Sequence, residues 1–158
     1  MKAKRVGMLA VAIIACLLAG AIGSVFTIES ISGWYASLNK PFFTPPNWLF
    51  GPAWTTLYLL MGISLYLVWE KSGKDKKAKT AIIIFASQLA LNILWSVIFF
   101  GLRLPFPAFV EIIALWLAIF FTIRAFYPIS KKAAWLLVPY ICWVSFAAAL
   151  NLAVALLN

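Results

Sequence analysis

Five long apolar runs, separated by short polar segments, account for most of this chain. They cover residues 6–28, 48–69, 80–101, 106–126 and 133–157. At about 1.5 Å of rise per residue, a helix of each length crosses a hydrocarbon layer about 30 Å thick. A segment in lipid must satisfy its backbone amides internally, and a single open-ended segment does so only as a helix. The strict apolar–polar alternation of a membrane β-barrel strand is missing. The pattern predicts an all-α polytopic membrane protein, a bundle of five transmembrane helices forming one domain over residues 1–158.

Composition supports lipid as the solvent for this surface. Hydrophobic residues make up 65% of the chain and charged residues 11%, whereas a soluble domain is about 45–50% apolar. A net charge of +9 would point to nucleic acid in a soluble protein. Here the basic residues lie between the apolar runs, with no basic stripe interleaved with exposed aromatics, so no nucleic-acid partner is expected.

Lys2, Lys4 and Arg5 precede the first run, Lys71, Lys74, Lys76, Lys77 and Lys79 fill the second connection, and Arg124, Lys131 and Lys132 flank the end of the fourth run. The opposite side carries only Lys40 and Arg103. In a bacterial cytoplasmic membrane this bias places the N-terminus inside and the C-terminus outside.

A basic start before an apolar stretch also describes a signal peptide, and Ile13-Ile14-Ala15-Cys16 loosely resembles a lipoprotein cleavage box. The apolar run continues to Ile28, where a mature lipoprotein would turn polar, so a retained helix is expected. Cys16 and Cys142 each sit inside a run and read as small buried hydrophobes rather than a disulfide.

Residues 29–47 form the one long connection. Trp34-Tyr35, Lys40-Pro41 and Pro45-Pro46 make it stiff, because proline locks φ and biases the preceding residue to extended geometry. It reads either as an interfacial cap anchored by Trp and Tyr or as a lid over a site, and the lid is preferred. Small residues recur at helical spacing, Ala15, Ala19 and Gly23 in the first run and Ala86 and Ala90 in the third. Such rows let backbones approach, either within the bundle or in a dimer.

Polar side chains inside a span are costly and mark function or pairing. Gln88, Asn92 and Ser96, spaced i, i+4, i+8 with Trp95, share one face of the third run. Trp54, Tyr58 and Met61 follow Phe50-Gly51-Pro52 along the second, and Tyr140, Trp143, Ala147 and Asn151 line the fifth. Taken singly, each reads first as ordinary core or an interhelical bond. Three converging faces of this kind make a pocket for a large, flat, mostly apolar ligand. Glu111 is the remaining intramembrane charge, either protonated, paired with Arg103, or facing an aqueous mouth. Histidine is absent, and no nucleophile–base pair, metal-ligand cluster or phosphate loop stands out, so neither a metal nor an obligatory cofactor is expected.

Three strings carry a family resemblance: Trp34-Tyr35-x-x-Leu38-x-Lys40-Pro41-x-Phe43-x-Pro45-Pro46-x-Trp48-x-Phe50-Gly51-Pro52-x-Trp54, then Leu91-Asn92-x-x-Trp95-Ser96-x-x-Phe99-Phe100-Gly101, then Trp135-x-x-x-Pro139-Tyr140-x-x-Trp143-x-x-Phe146-Ala147-x-x-Leu150-Asn151. Together they resemble the first loop and the second, third and fifth helices of the translocator protein family, also called tryptophan-rich sensory proteins or peripheral benzodiazepine receptors.

The resemblance implies a five-helix bundle, usually a homodimer, that takes protoporphyrin IX, haem precursors or haem, and isoquinoline or benzodiazepine ligands. On matching positions it implies a pocket lined by Tyr35, Pro45, Phe50, Trp54, Asn92, Trp95, Ser96, Trp143, Ala147 and Leu150. Trp54 and Asn92 would donate hydrogen bonds to the ligand. It further implies Trp54 and Trp143 as candidates for a light- and oxygen-dependent breakdown of porphyrin. The expected role is a membrane receptor or sensor for tetrapyrroles, with a porphyrin-degrading enzyme and a tetrapyrrole transporter as alternatives. The cholesterol motif of animal members is missing, since no Tyr or basic residue follows Leu150, and sterol binding is not expected.

Overall fold

The computed structural model describes residues 2–73 and 76–158, and at Lys2 the backbone alone. Two of the basic positions read as topology signals, Lys74 and the Lys2 side chain, therefore lie outside the described residues. Among the described residues, seven α segments follow in order: α1 (Lys2–Ile31), α2 (Trp34–Ser37), α3 (Asn47–Trp69), α4 (Lys76–Ser96), α5 (Pro105–Phe126), α6 (Lys131–Leu136) and α7 (Val138–Leu157). Five stretches are long and apolar enough to cross a membrane: Ala3–Ile31, Asn47–Trp69, Lys76–Gly101, Pro105–Phe126 and Lys131–Leu157. These are the five expected runs, most of them extended by a few residues into their polar flanks. No strand occurs among the described residues.

Local chemistry explains the boundaries. Pro105 occupies the first helical position of α5, where its missing N–H costs nothing. The Ser130 hydroxyl caps α6 by accepting from the Ala133 N–H at 3.3 Å. The fifth span breaks between α6 and α7 because Pro139 has no N–H to give the Trp135 carbonyl. The Leu137 N–H closes the turn instead, on the Ala134 carbonyl at 3.1 Å.

The helices pack as a closed ring, α1 against α3 and α4, α4 against α5, α5 against α7, and α3 against α6. Glycine sets the closest approach. A Cβ on Gly62 would stand 2.6 Å from the Ile13 Cα, so α1 and α3 touch backbone to backbone there. Phe85 and Phe126 stack at 5.8 Å between α4 and α5, and the Ser64 hydroxyl donates to the Ala133 carbonyl at 2.8 Å between α3 and α6. On the outer surface the Trp116 indole N–H donates to the Ser145 hydroxyl at 2.8 Å, pinning α5 to α7.

Two features depart from the expected bundle. The last turn of the third span, Val97–Gly101, is a π-helix. Its extra residue per turn brings the adjacent Phe99 and Phe100 both into the interior. There the Phe100 carbonyl accepts from the Ser30 hydroxyl at 2.8 Å. The row of small residues is also split. Ala19 and Gly23 are buried, while Ala15, Ala86 and Ala90 are exposed on the outside of the bundle. Cys16 is buried as expected, but Cys142 is exposed, because it lies on the side of α7 opposite buried Tyr140 and Val144.

Candidate functional site

A cavity of about 530 Å³ lies between α1, α3, α4 and α7, at the end of the bundle covered by residues 32–46. Its volume falls within the range of small-molecule sites, about 300–1,000 Å³. Nine of the ten pocket residues expected from sequence line it: Tyr35, Phe50, Trp54, Asn92, Trp95, Ser96, Trp143, Ala147 and Leu150. Pro45 does not reach it. Pro45 lies in the extended segment leading into α3, where its fixed φ directs the chain rather than the cavity wall.

The walls are aromatic and held by ring contacts. Trp54 stacks on Tyr58 at 5.6 Å and meets Tyr140 edge-on at 6.2 Å. Phe50 meets Trp143 edge-on at 6.0 Å, and Trp95 stacks on Phe99 at 5.2 Å. The inward turn of Phe99 and Phe100 gives Tyr35 its seat, with ring centroids 6.3 and 5.7 Å away. The Lys40 ammonium lies 5.0 Å over the Tyr35 ring. Burial in this apolar setting pushes the Tyr35 phenol above its ordinary value.

Much of the polar chemistry in the walls is already used by the protein. Asn92 sits between two tyrosines. Its carbonyl oxygen accepts from the Tyr58 hydroxyl at 2.5 Å, and its amide donates to the Tyr140 hydroxyl at 3.0 Å. Only the second amide hydrogen remains for a ligand, which narrows the donor role expected of Asn92. The Trp95 indole donates to the Asn151 side chain at 3.0 Å, and Asn151 donates to the Pro105 carbonyl at 2.7 Å. This chain ties α4 through α7 to the start of α5. The Trp143 indole N–H, by contrast, is buried in the cavity wall with no acceptor.

Gln88 does not join its helical neighbours at the cavity. It is buried below Asn92, with neither amide atom hydrogen-bonded. Glu111 is buried on α5, also without a partner on either oxygen, so the pairing with Arg103 does not form. Arg103 instead turns the chain between α4 and α5 with a positive φ of 59°.

The contribution of α1 was not foreseen residue by residue. Gly20, Gly23, Ser24 and Thr27 form a stretch of small residues in the cavity wall, with Leu17 and Ile28 at the two ends. A Cβ on Gly20 would fall 2.3 Å from the Tyr58 ring, and one on Gly23 would fall 3.0 Å from the Ser96 hydroxyl. The small-residue row thus lets two side chains of the cavity wall, Tyr58 and Ser96, pack directly on α1. Between α1 and α3 the wall is thin, with Ala21, Gly51 and Thr55 exposed on its outer side.

The covering segment is anchored at several points. Phe43 meets Phe146 edge-on at 6.3 Å and Trp34 meets Phe99 at 5.6 Å. The Asn39 N–H donates to the Asn158 side-chain oxygen at 3.0 Å, and the Asn158 amide donates back to the Asn39 carbonyl at 3.0 Å. Among the described residues no group of three or more His, Cys, Asp and Glu side chains could hold a metal ion.

Comparison with known proteins agrees with this geometry. The profile of the TspO/MBR family matches residues 12–157. The chain is 52% identical over 151 residues to the Tryptophan-rich protein TspO of Archaeoglobus fulgidus, covering 95% of this chain and 96% of that one. It is 44% identical over 155 residues to the Tryptophan-rich protein TspO of Chlorobaculum tepidum, covering 98% of each. It is 42% identical over 131 residues to the Translocator protein of Homo sapiens, covering 82% of this chain and 78% of the human one. This chain is an integral membrane protein and belongs to the TspO/MBR family.

Proposed function

We propose that the protein is a membrane receptor for flat tetrapyrroles, with protoporphyrin IX as the representative ligand, held in the cavity between α1, α3, α4 and α7. The observation that carries this reading is the pairing of aromatic walls on α3, α4 and α7 with a wall of mostly small residues on α1. A planar apolar ring gains stacking on Trp54 and Trp143, and the cavity of about 530 Å³ has room for it. The unsatisfied Trp143 N–H and the spare Asn92 amide hydrogen supply donors for a carboxylate or carbonyl at the ligand edge. Isoquinoline and benzodiazepine compounds, flat and carrying a carbonyl, fit the same description. The segment over residues 32–46 acts as the lid.

The distribution of basic residues supports a cytoplasmic N-terminus in a bacterial-type membrane. The exposed Ala86 and Ala90 on α4 supply a flat face for a homodimer.

Titration of the purified protein with protoporphyrin IX, read by tryptophan quenching and by the ligand's absorption band, tests the site. Ala147→Phe fills the cavity and Trp143→Ala removes a stacking wall, and each is expected to weaken binding about tenfold or more. Wild-type affinity in both variants, with folding verified by thermal unfolding, would overturn the assignment.

A further inference from the structure

A second concavity lies on the outside of the bundle, toward the end rich in lysine and arginine. It runs between α4 and α5 and is lined by Ile84, Ser87, Ala118, Phe121, Arg124 and Ala125. Its floor is short because small residues face one another across the helix pair, Ser87 on one side and Ala118 and Ala125 on the other. The Ser87 hydroxyl donates back to the Ile83 carbonyl at 3.1 Å, which keeps that side chain folded against its own helix. Ile83 and Phe121 flank the groove and are exposed, so its surroundings are those of a lipid-facing surface.

Arg124 is the unusual member. The stacked pair Phe85 and Phe126 sets the register of these antiparallel helices and puts Arg124 level with Ser87. Arg124 lies in the last turn of α5 and is exposed, at the margin between the lipid-facing surface and the basic end. A guanidinium there, beside a groove of short side chains, attracts an opposite charge from the membrane surface. The protein does not provide one among the described residues. Glu70 is bonded to Arg5 at 2.8 Å. Glu111 lies thirteen residues along α5, about 20 Å away, and Glu29 is near the far end of α1.

We propose that this groove binds one anionic phospholipid, with its phosphate on the Arg124 guanidinium and an acyl chain lying over Ser87, Ala118 and Ala125. The phosphate supplies the missing counter-charge in a geometry that suits the planar guanidinium. The chain fills the strip where helix side chains are short. Other basic side chains at this end add a diffuse attraction for acidic headgroups, but Arg124 alone borders a slot that also accepts a chain.

Native mass spectrometry of the full protein, released from micelles holding equal amounts of phosphatidylglycerol and phosphatidylcholine, reads the site directly. Wild type is expected to retain one phosphatidylglycerol with a preference of about fivefold, the scale of one basic group at an acidic membrane surface. Arg124→Gln should abolish the preference and Arg124→Lys should keep part of it. Removing two other charges with Lys131→Gln and Lys132→Gln should leave the single retained lipid in place. Ala118→Phe fills the groove and should lose the lipid while keeping the arginine, so the proposal stays testable if the Arg124 variants misfold. Millimolar inorganic phosphate should not displace the lipid, and displacement would mark an anion site rather than a lipid site. An unchanged lipid ratio in both Arg124→Gln and Ala118→Phe, or no preference in wild type, overturns the proposal.

Discussion

The two ends of the bundle solve the same packing problem in opposite ways. At the basic end, helices are drawn together until backbones and rings fill the interior. Gly62 meets the Ile13 backbone, Phe85 stacks on Phe126, and Ala133, Leu137 and Ile119 are completely buried. At the other end the helices are held apart. Aromatic rings and amide–hydroxyl bonds span the gap, and a cavity of about 530 Å³ remains between them. Glycine occurs in both halves with different results. At Gly62 it removes a side chain so that two backbones can touch, whereas at Gly20 and Gly23 it lets two side chains of the cavity wall, Tyr58 and Ser96, seat against α1. A binding protein in lipid needs both halves, because the tight half supplies the rigidity that lets the loose half stay open.

The strongest way to break this contrast is Gly62→Ala. Its Cβ would overlap the Ile13 backbone, which cannot swing aside as a side chain can. Overpacking of this kind costs about 1–3 kcal/mol and more where backbone must move. The variant is expected to lose about 3 kcal/mol or more of stability, read by thermal or detergent-induced unfolding. Tetrapyrrole binding should fall with the folded fraction. A variant as stable as wild type would show that the α1–α3 contact is not the rigid element.

Tyr58→Phe should cost less. It removes the hydroxyl that donates to Asn92, and an interhelical hydrogen bond in a membrane contributes about 0.6–1.7 kcal/mol. Stability should drop by about 1 kcal/mol. The freed Asn92 side chain can then turn toward the ligand, so affinity for a ligand bearing both donor and acceptor groups should hold or rise while stability falls. Parallel loss of both would mean that the tyrosine's hydroxyl shapes the site rather than restraining Asn92.

Gly20→Ala sharpens the comparison further, since it makes the same chemical change as Gly62→Ala in the open half. The new methyl meets the Tyr58 ring, which can shift toward the cavity at the expense of its bond to Asn92. Alanine also gains about 0.5–1 kcal/mol over glycine in a helix interior. The two effects offset, and stability should stay within about 0.5 kcal/mol of wild type. Protoporphyrin binding should still weaken several-fold, because the displaced ring takes up ligand space. The split between stability and affinity is the outcome that separates the two halves.

These differences also mark what could be read from sequence. The five spans were legible because lipid imposes length and polarity on each run. The aromatic walls on α3, α4 and α7 were legible because helical spacing puts Trp54 with Tyr58, Asn92 with Trp95, and Trp143 with Ala147 on inward faces. The glycine wall was half legible, since Ala19 and Gly23 were found in the small-residue row, but a missing side chain does not say what fills the space beside it. The turn of Phe99 and Phe100 was not legible at all. It depends on a slip of the hydrogen-bond register from four residues to five, as in the bond from Leu102 to the Val97 carbonyl at 2.8 Å, and composition carries no sign of that. The bonding of Asn92 by two tyrosines was equally hidden, because periodicity assigns a face but not a partner. Cys142 and Pro45 were misplaced for a related reason, as belonging to an apolar run or a conserved-looking string does not fix which way a residue faces.

The smallest effect belongs to the covering segment, and it concerns rate more than equilibrium. Asn39 and Asn158 exchange hydrogen bonds through backbone and side chain, and a further bond runs from the Asn39 amide to the Leu157 carbonyl at 3.4 Å. All three are exposed to solvent, so each contributes little to stability. They nonetheless fasten the middle of the segment to the end of α7, beside the cavity. Asn158→Ala removes two of the bonds and leaves every cavity residue in place. Thermal stability should change by about 0.5 kcal/mol or less, and the equilibrium constant for protoporphyrin should hold within about twofold. The association and dissociation rates should both rise, by about threefold to tenfold, since an opening barrier shared by entry and exit is lowered without altering the bound state. Stopped-flow quenching separates the two rates. Unchanged rates would mean the ligand does not pass beneath this segment and enters elsewhere, with the thin wall at Ala21, Gly51 and Thr55 as the remaining route, reached directly from lipid.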